Sequence, residues 1–168
     1  MAFTHILAPT DFSESAREAL EVAWREAELH QASLKLVHVL QHHPHTEVTY
    51  LRGNPEDRRG LATEFGALPT PGGQDAAILR RDYVEEALTQ LRDLIPRSLR
   101  DRSTVDVASG DPAEAIVQVA REHGIDLIVM STHGRTGLAH VLMGSVAEKV
   151  VRHAPCPVLV TRDQPVQS

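Results

Sequence analysis

The chain has 168 residues, of which 42% are hydrophobic and 24% are charged, and its formal net charge at neutral pH is −6. This acidic balance argues against a nucleic-acid or an anionic-membrane partner, because either would require a basic face. Since no apolar run reaches the roughly 20 residues of a membrane span and no signal-peptide pattern is visible, we expect a cytoplasmic protein that forms a single domain over residues 1–168.

Short apolar runs alternate along the chain with stretches of helical periodicity. In the first helix, Ser15 and Glu18 fit a capping box. Asp111, Pro112 and Glu114 together predict a strong helix start further on. The predicted order is a strand at 5–9, a helix at 13–30, a strand at 33–40, a helix at 82–95, a strand at 104–109, a helix at 112–123, a strand at 126–130, a helix at 146–153 and a strand at 157–161.

Five strands interleaved with four helices predict an α/β fold, in which right-handed crossovers build a parallel sheet covered by helices on both faces. The common strand order for such a sheet is 3-2-1-4-5. The segment 41–74 interrupts the alternation, since it is rich in His, Pro, Gly and Arg and is too long for an ordinary connection. We therefore expect a long surface excursion there.

Two features of the sequence have structural rather than chemical interpretations. His42, His43 and His45 form a dense cluster, but without a nearby cysteine or carboxylate pair they are interpreted as solvated loop residues rather than a metal site. The lone Cys156 follows a proline and precedes another, and it is interpreted as a packing residue rather than a nucleophile.

The loop at residues 131–145 is the most informative segment. It follows a predicted strand, precedes a helix and contains Gly134, Gly137 and Gly144, so its backbone can approach a ligand closely. The N–H groups at the start of the following helix favour an anion such as phosphate. We interpret this loop as a cradle for the phosphates of a nucleotide.

Strand order brings a second loop to the same place. In an open parallel sheet, ligands bind beyond the carboxyl ends of the strands where the order reverses, which here lies between the first and fourth strands. Asp11 follows the first strand and Gly134 follows the fourth, so we expect both in one crevice. A carboxylate there can accept hydrogen bonds from an adenine amino group or from ribose hydroxyls.

The candidate residues also have simpler interpretations. Asp11 could cap the first helix, and Ser145 with Glu148 fits a capping box of its own. Arg135 either meets a phosphate or is a solvated charge, and His133 either bonds a phosphate or packs on the loop. The P-loop, the G-x-G-x-x-G fingerprint and the G-x-S-x-G elbow are all missing from the sequence, so no catalytic residue is predicted.

These residues resemble the universal stress protein family over nearly the whole chain. In ATP-binding members, the signature is glycine, two residues, glycine, nine residues, then glycine with serine or threonine. Gly134 and the pair Gly144-Ser145 match that spacing, whereas Ser131 replaces the first glycine. Further similar segments are His5 to Ser13, Gly110 to Pro112, Thr132 to Gly137, Gly144 to Lys149 and Ala154 to Val158.

The resemblance implies a Rossmann-like fold of the adenine nucleotide alpha hydrolase type, which binds ATP or another adenine nucleotide, with or without Mg²⁺. It also implies a homodimer joined through the last strands, here Pro157 to Thr161, and a role in stress response or signalling. A nucleotide-free interaction module and a slow ATPase remain as alternatives. The implied contacts to the nucleotide are Asp11 and the backbone at Val39 on the adenosine side, and Met130, Ser131, His133, Gly134, Gly144, Ser145 and Val146 on the ribose and phosphate side. Pro9, Thr10 and Arg135 are further candidates for nucleotide binding in the same two loops.

Overall fold

Strands and helices alternate in the structure, a computed structural model that describes residues 2–40, 50–52, 73–132 and 143–162. In chain order the elements are β1 (His5–Pro9), α1 (Glu14–His30), β2 (Ser33–Leu40), β3 (Tyr50–Arg52), α2 (Gly73–Asp93), a 3-10 helix (Arg97–Arg102), β4 (Ser103–Ser109), α3 (Pro112–Glu122), β5 (Leu127–Ser131), α4 (Ser145–His153) and β6 (Val158–Thr161).

The strands form one sheet of order β3-β4-β2-β1-β5-β6. Five of them are parallel, and their order β4-β2-β1-β5-β6 is the predicted 3-2-1-4-5. The sixth strand, β3, pairs antiparallel with β4 at the edge and comes from the predicted excursion at 41–74. Three residues are too few to show an alternating pattern, which is why the sequence did not predict this strand.

Two apolar layers cover the sheet, one on each face. Because side chains alternate along a strand, Ile6 of β1 packs with Leu20 of α1 and Leu91 of α2, whereas the next residue, Leu7, packs on the opposite face with Ile116 of α3. Helices therefore bury both faces of the parallel strands, as the sequence predicts.

Side chains cap the starts of α1 and α3. Asp111 caps α3 by accepting hydrogen bonds from the amides of Ala113 and Glu114, as predicted. The same helix is followed by Gly124, whose φ of +59° belongs to the left-handed region that glycine tolerates best. In α1 the prediction was wrong, because Ser13 is the N-cap and Ser15 lies within the first helical turn.

The second helix is longer than predicted. It begins at Gly73 rather than near residue 82. The consecutive glycines at 72 and 73 favour a loop, yet the Ala, Leu and Arg residues that follow are good helix formers. The histidine cluster His42, His43 and His45 lies outside the described residues.

Candidate functional site

The loops that follow β1 and β5 begin at the same edge of the sheet. Both strands are parallel neighbours, in a register that pairs Ile6 with Leu127 and Leu7 with Ile128. From β1 the chain continues through β2 and β4 on one side, whereas β5 and β6 lie on the other. The order therefore reverses between β1 and β5, the place where open α/β sheets bind ligands.

The loop after β1 is a short turn held by its own side chains. The Thr10 amide donates to the Val37 carbonyl over 2.9 Å, and the Thr10 hydroxyl oxygen accepts from the Phe12 amide over 3.1 Å. The Asp11 carboxylate accepts from the Ser13 amide over 3.0 Å. Asp11 thus shapes its own turn and Ser13, not Asp11, caps α1.

His38 of β2 lies beneath this turn. Its side chain is buried, and its Nδ1 lies 2.8 Å from the Thr10 carbonyl oxygen. Since a carbonyl oxygen only accepts, Nδ1 carries the hydrogen of this bond. The imidazole also packs on the Phe12 ring, with 4.5 Å between the ring centroids. His38 was not predicted as a site residue, although a single histidine within an apolar strand was the available signal.

The start of α4 lies directly beyond β5. Gly144 is the N-cap, and its amide donates to the Thr132 carbonyl over 2.7 Å. The buried Thr132 in turn donates its amide to Thr161 at the end of β6 over 2.9 Å. Ser145 is already the first helical residue, so the predicted capping box of Ser145 with Glu148 is wrong.

A glycine N-cap offers no side-chain oxygen to the first amides of its helix. The α1 helix has the Ser13 hydroxyl and α3 has the Asp111 carboxylate for that purpose, whereas α4 shows no side-chain cap. Uncapped helix-start amides carry a partial positive charge that suits an anion. The start of α4 is therefore suited to a phosphate group.

The described candidates of the sequence analysis lie at this edge or one residue short of it. Val39 lies two residues beyond Val37, which is the β2 partner of Pro9. His133, Gly134 and Arg135, and also Gly137, lie outside the described residues. The others are Pro9, Thr10 and Asp11 at the end of β1, Met130 and Ser131 at the end of β5, and Gly144, Ser145 and Val146 at the start of α4.

One ion pair links α4 to the N-cap residue of α3. Lys149 Nζ of α4 lies 3.3 Å from Asp111 Oδ2, the N-cap of α3. Burial raises the pKa of the Asp111 carboxyl, but the Glu114 amide, Lys149 and the Ala113 amide outweigh it, so the pKa lies below its usual value. Asp111 is therefore ionised at neutral pH and already paired.

A second charged cluster lies within the sheet layer, away from this edge. The Asp106 carboxylate of β4 is 4% exposed and accepts from Lys35 Nζ of β2 over 2.7 Å. His123 Nε2 at the end of α3 lies 3.7 Å from the same oxygen. This cluster was not predicted, because its members are remote from one another along the chain.

Other candidate chemistry in the structure is limited. In the part of the chain that the structure describes, no three His, Cys, Asp or Glu side chains are grouped to hold a metal ion. Burial raises the pKa of the half-buried Cys156 thiol, and the Asp126 charge raises it further, so Cys156 is not an activated nucleophile. Over the same described residues, none of the helices combines the length and apolarity needed to cross a bilayer.

Known proteins resemble the chain along most of its length. The model of the universal stress protein family matches residues 2–162. Universal stress protein MJ0531 of Methanocaldococcus jannaschii is 30% identical over 161 residues, which cover 95% of this chain and 82% of that protein. Universal stress protein MJ0577 of the same organism is 30% identical over 171 residues, which cover 95% of each chain.

Solved structures share the fold. The structure of MJ0577 superimposes with a TM-score of 0.72 at 28% sequence identity and covers 98% of this chain and 99% of its own. A universal stress protein solved in complex with cAMP superimposes with a TM-score of 0.57 at 20% identity, covering 96% of this chain and 98% of its own. At that identity the likeness concerns the fold.

Proposed function

The chain belongs to the universal stress protein family, and on that premise we propose that it binds an adenine nucleotide, with ATP as the expected ligand, between the loop after β1 and the start of α4. The observation that carries this proposal is the meeting of two complementary features at one edge of the sheet. A fixed carboxylate at Asp11 follows β1, and a helix capped only by Gly144 follows its neighbour β5.

The phosphates would lie at the start of α4. The amides of Ser145 and Val146 belong to the first turn, where helix N–H groups have no partner within the helix. Gly144 contributes no Cβ at this point, so a phosphate can approach the backbone closely. Mg²⁺, when present, would arrive with the nucleotide and be held through its phosphates.

The adenosine part would lie toward Asp11 and Val39. The Asp11 carboxylate suits ribose hydroxyls or an adenine amino group, which are both donors. The structure of a universal stress protein with cAMP supports an adenylate as the class of ligand, since that protein shares the fold. The replacement of the first signature glycine by Ser131 is compatible with this arrangement, because serine adds one small side chain with a hydroxyl.

We further propose that the nucleotide acts as a signal in the cytoplasm rather than as a substrate. In such a role, nucleotide binding would change the surface that the chain offers to a protein partner during stress. The last strand supports a homodimer, because β6 pairs with β5 along one side and lies at the end of the sheet. Its exposed Leu159 would gain burial in such a pairing.

The direct test is to find and measure the ligand. Purified protein would be denatured and the released small molecules identified by mass spectrometry, and the stripped protein would be titrated calorimetrically with ATP, ADP, AMP and adenosine, with GTP as control. We expect an adenine nucleotide to be released and to rebind. Neither release nor binding of any adenylate would overturn the proposal, and ADP formed during incubation with ATP would favour the slow ATPase instead.

A further inference from the structure

The turn that carries Asp11 depends on a residue outside the turn. From the geometry around it we propose that His38 is a positioning residue for the nucleotide site, in that it holds the backbone on both sides of Asp11. This inference rests on the proposed nucleotide binding and names the residue that prepares one half of that site.

The first contact fixes the residue before Asp11. Thr10 is buried, and its backbone carbonyl oxygen accepts a hydrogen bond from His38 Nδ1 over 2.8 Å. The Thr10 amide is occupied by the Val37 carbonyl, so β2 holds both backbone polar groups of Thr10. A buried carbonyl without a donor is costly, and thus the loss of this bond would favour another turn conformation.

The second contact fixes the residue after Asp11. Phe12 has a φ of +64°, a left-handed conformation that residues other than glycine adopt rarely. Such a conformation persists only where the surroundings hold it. The His38 imidazole supplies one such support, since its centroid lies 4.5 Å from the Phe12 ring at an angle of 37°.

The two contacts together determine where the Asp11 carboxylate lies. Asp11 is the only residue between the two held positions, and its Oδ1 accepts from the Ser13 amide only while the turn keeps this shape. A site that is already formed in the free protein binds more tightly, because the ligand does not have to order it. His38 therefore acts on nucleotide affinity through Asp11 and not by contact with the nucleotide.

Three substitutions separate the ring from the hydrogen bond. In His38→Asn the side-chain amide nitrogen takes the place of Nδ1, in His38→Gln it takes the place of Nε2, and in His38→Phe the ring remains without a donor. Calorimetric titration with ATP gives the dissociation constant of each variant, and thermal unfolding checks that each is folded. We expect the constant to rise about tenfold in His38→Phe and in His38→Gln, and no more than about threefold in His38→Asn.

Amide hydrogen exchange of Ser13 gives a readout that needs no ligand. We expect slow exchange in the wild-type protein and in His38→Asn, and exchange faster by at least about tenfold in His38→Phe. The inference is overturned if all folded variants bind and exchange like the wild type, or if His38→Gln, which keeps neither contact, binds ATP like the wild type. Absence of ATP binding to the wild type would instead refute the proposed function, while the exchange rates would still decide whether His38 holds the turn.

Discussion

Gly144 donates its amide hydrogen to the carbonyl oxygen of Thr132 over 2.7 Å, so the N-cap residue of α4 is bonded to the residue that directly follows β5. Thr132 is itself bonded to Thr161 of β6. The start of the helix is thereby attached to the sheet at its carboxyl edge, next to the neighbouring β1. An anion bound there would contact backbone amides whose positions the sheet determines.

Gly144→Asp should separate folding from nucleotide binding. The φ of −69° and ψ of 154° at Gly144 suit any residue, and Asp is a better N-cap than Gly, so we expect unchanged or slightly higher thermal stability. The new carboxylate would occupy the amides and repel phosphate, so ATP affinity should fall at least about 100-fold, while adenosine binds within a few-fold. Calorimetry with both ligands measures this.

A matched control for that variant is Gly124→Ala. Gly124 has φ +59° and open space around its side-chain position, so alanine there brings backbone strain of about 1 kcal/mol and no clash. It should lower stability and leave ATP affinity unchanged. Equal ATP affinity in Gly144→Asp and the wild type would show that phosphate does not bind at α4.

Asp11→Asn and Asp11→Ala should have graded effects. Asparagine can still accept the Ser13 amide and keep the turn, whereas alanine cannot. We expect ATP and adenosine to lose affinity together, about threefold to tenfold in Asp11→Asn and at least about 30-fold in Asp11→Ala. A loss confined to ATP would contradict the placement of Asp11 beside the nucleoside.

Removal of one partner of the Lys35–Asp106 pair should destabilise the protein more than removal of both. Asp106→Asn leaves the Lys35 ammonium, whose side chain is 13% exposed, without its carboxylate, and should cost about 3 kcal/mol in the free energy of unfolding in urea. The double variant Lys35→Met with Asp106→Leu should recover most of that loss, because both charges leave together. A double variant as unstable as Asp106→Asn would contradict this.

Acid should weaken a contact at the opposite edge of the sheet. Asp126 accepts from both the Thr4 amide and hydroxyl at 2.7 Å and from the His5 amide at 2.9 Å. Burial raises the pKa of Asp126, but these donors outweigh it, so the pKa lies below its usual 3.8. The contribution of Asp126 is therefore fully present above pH 3.8 and is lost as the pH falls through the lower folded-state value.

Asp126→Asn tests that contribution, since its amide nitrogen cannot accept the two hydrogen bonds from Thr4. We expect a loss of about 1–2 kcal/mol at pH 7 that shrinks below pH 3.8, measured by urea unfolding across this range. Asp101→Asn, a change at an exposed position, should stay within about 0.5 kcal/mol at every pH. A loss that is the same at pH 3 and pH 7 would refute the assignment.

The open side of β6 allows a test of the proposed dimer. The carbonyls of Pro157 and Thr161 accept hydrogen bonds from the amides of Ile128 and Thr132. Because the backbone groups of successive residues in a strand point to opposite sides, the N–H and C=O of Val160 point toward the open edge. Val160→Pro should remove a donor from that edge and give a monomer, whereas Val160→Ala keeps the donor and should remain dimeric. Analytical ultracentrifugation measures both, and a monomeric wild type would refute the dimer.

Much of the fold was predictable because the central parallel strands β1 and β5 are buried on both faces and appear as apolar runs. The start of α3 was predictable for a local reason, since Asp111 and Pro112 satisfy the helix end within a few residues. The strand order followed from the general behaviour of such sheets, and the structure confirms it.

The turn after β1 was only partly predictable. Phenylalanine at φ +64° is unfavourable by local preference, and the support from His38 comes from a strand that follows the whole of α1. The choice of Ser13 over Ser15 as N-cap depends on that turn, since Asp11 and Ser13 are bonded within it. Contacts between distant residues, rather than local preference, decide such positions.

Because β1 and β5 are adjacent, a ligand bound at their carboxyl ends would stabilise the whole fold. The turn after β1 and the start of α4 are separated by most of the chain, and they come to the same edge of the sheet only after β1 and β5 have paired. A ligand that contacts both places would therefore bind the folded protein and not the unfolded chain. By thermodynamic linkage, a free ligand concentration of 100 times the dissociation constant would add about 2.7 kcal/mol to the free energy of unfolding. The supply of that molecule would then set how long the protein survives heat or proteolysis.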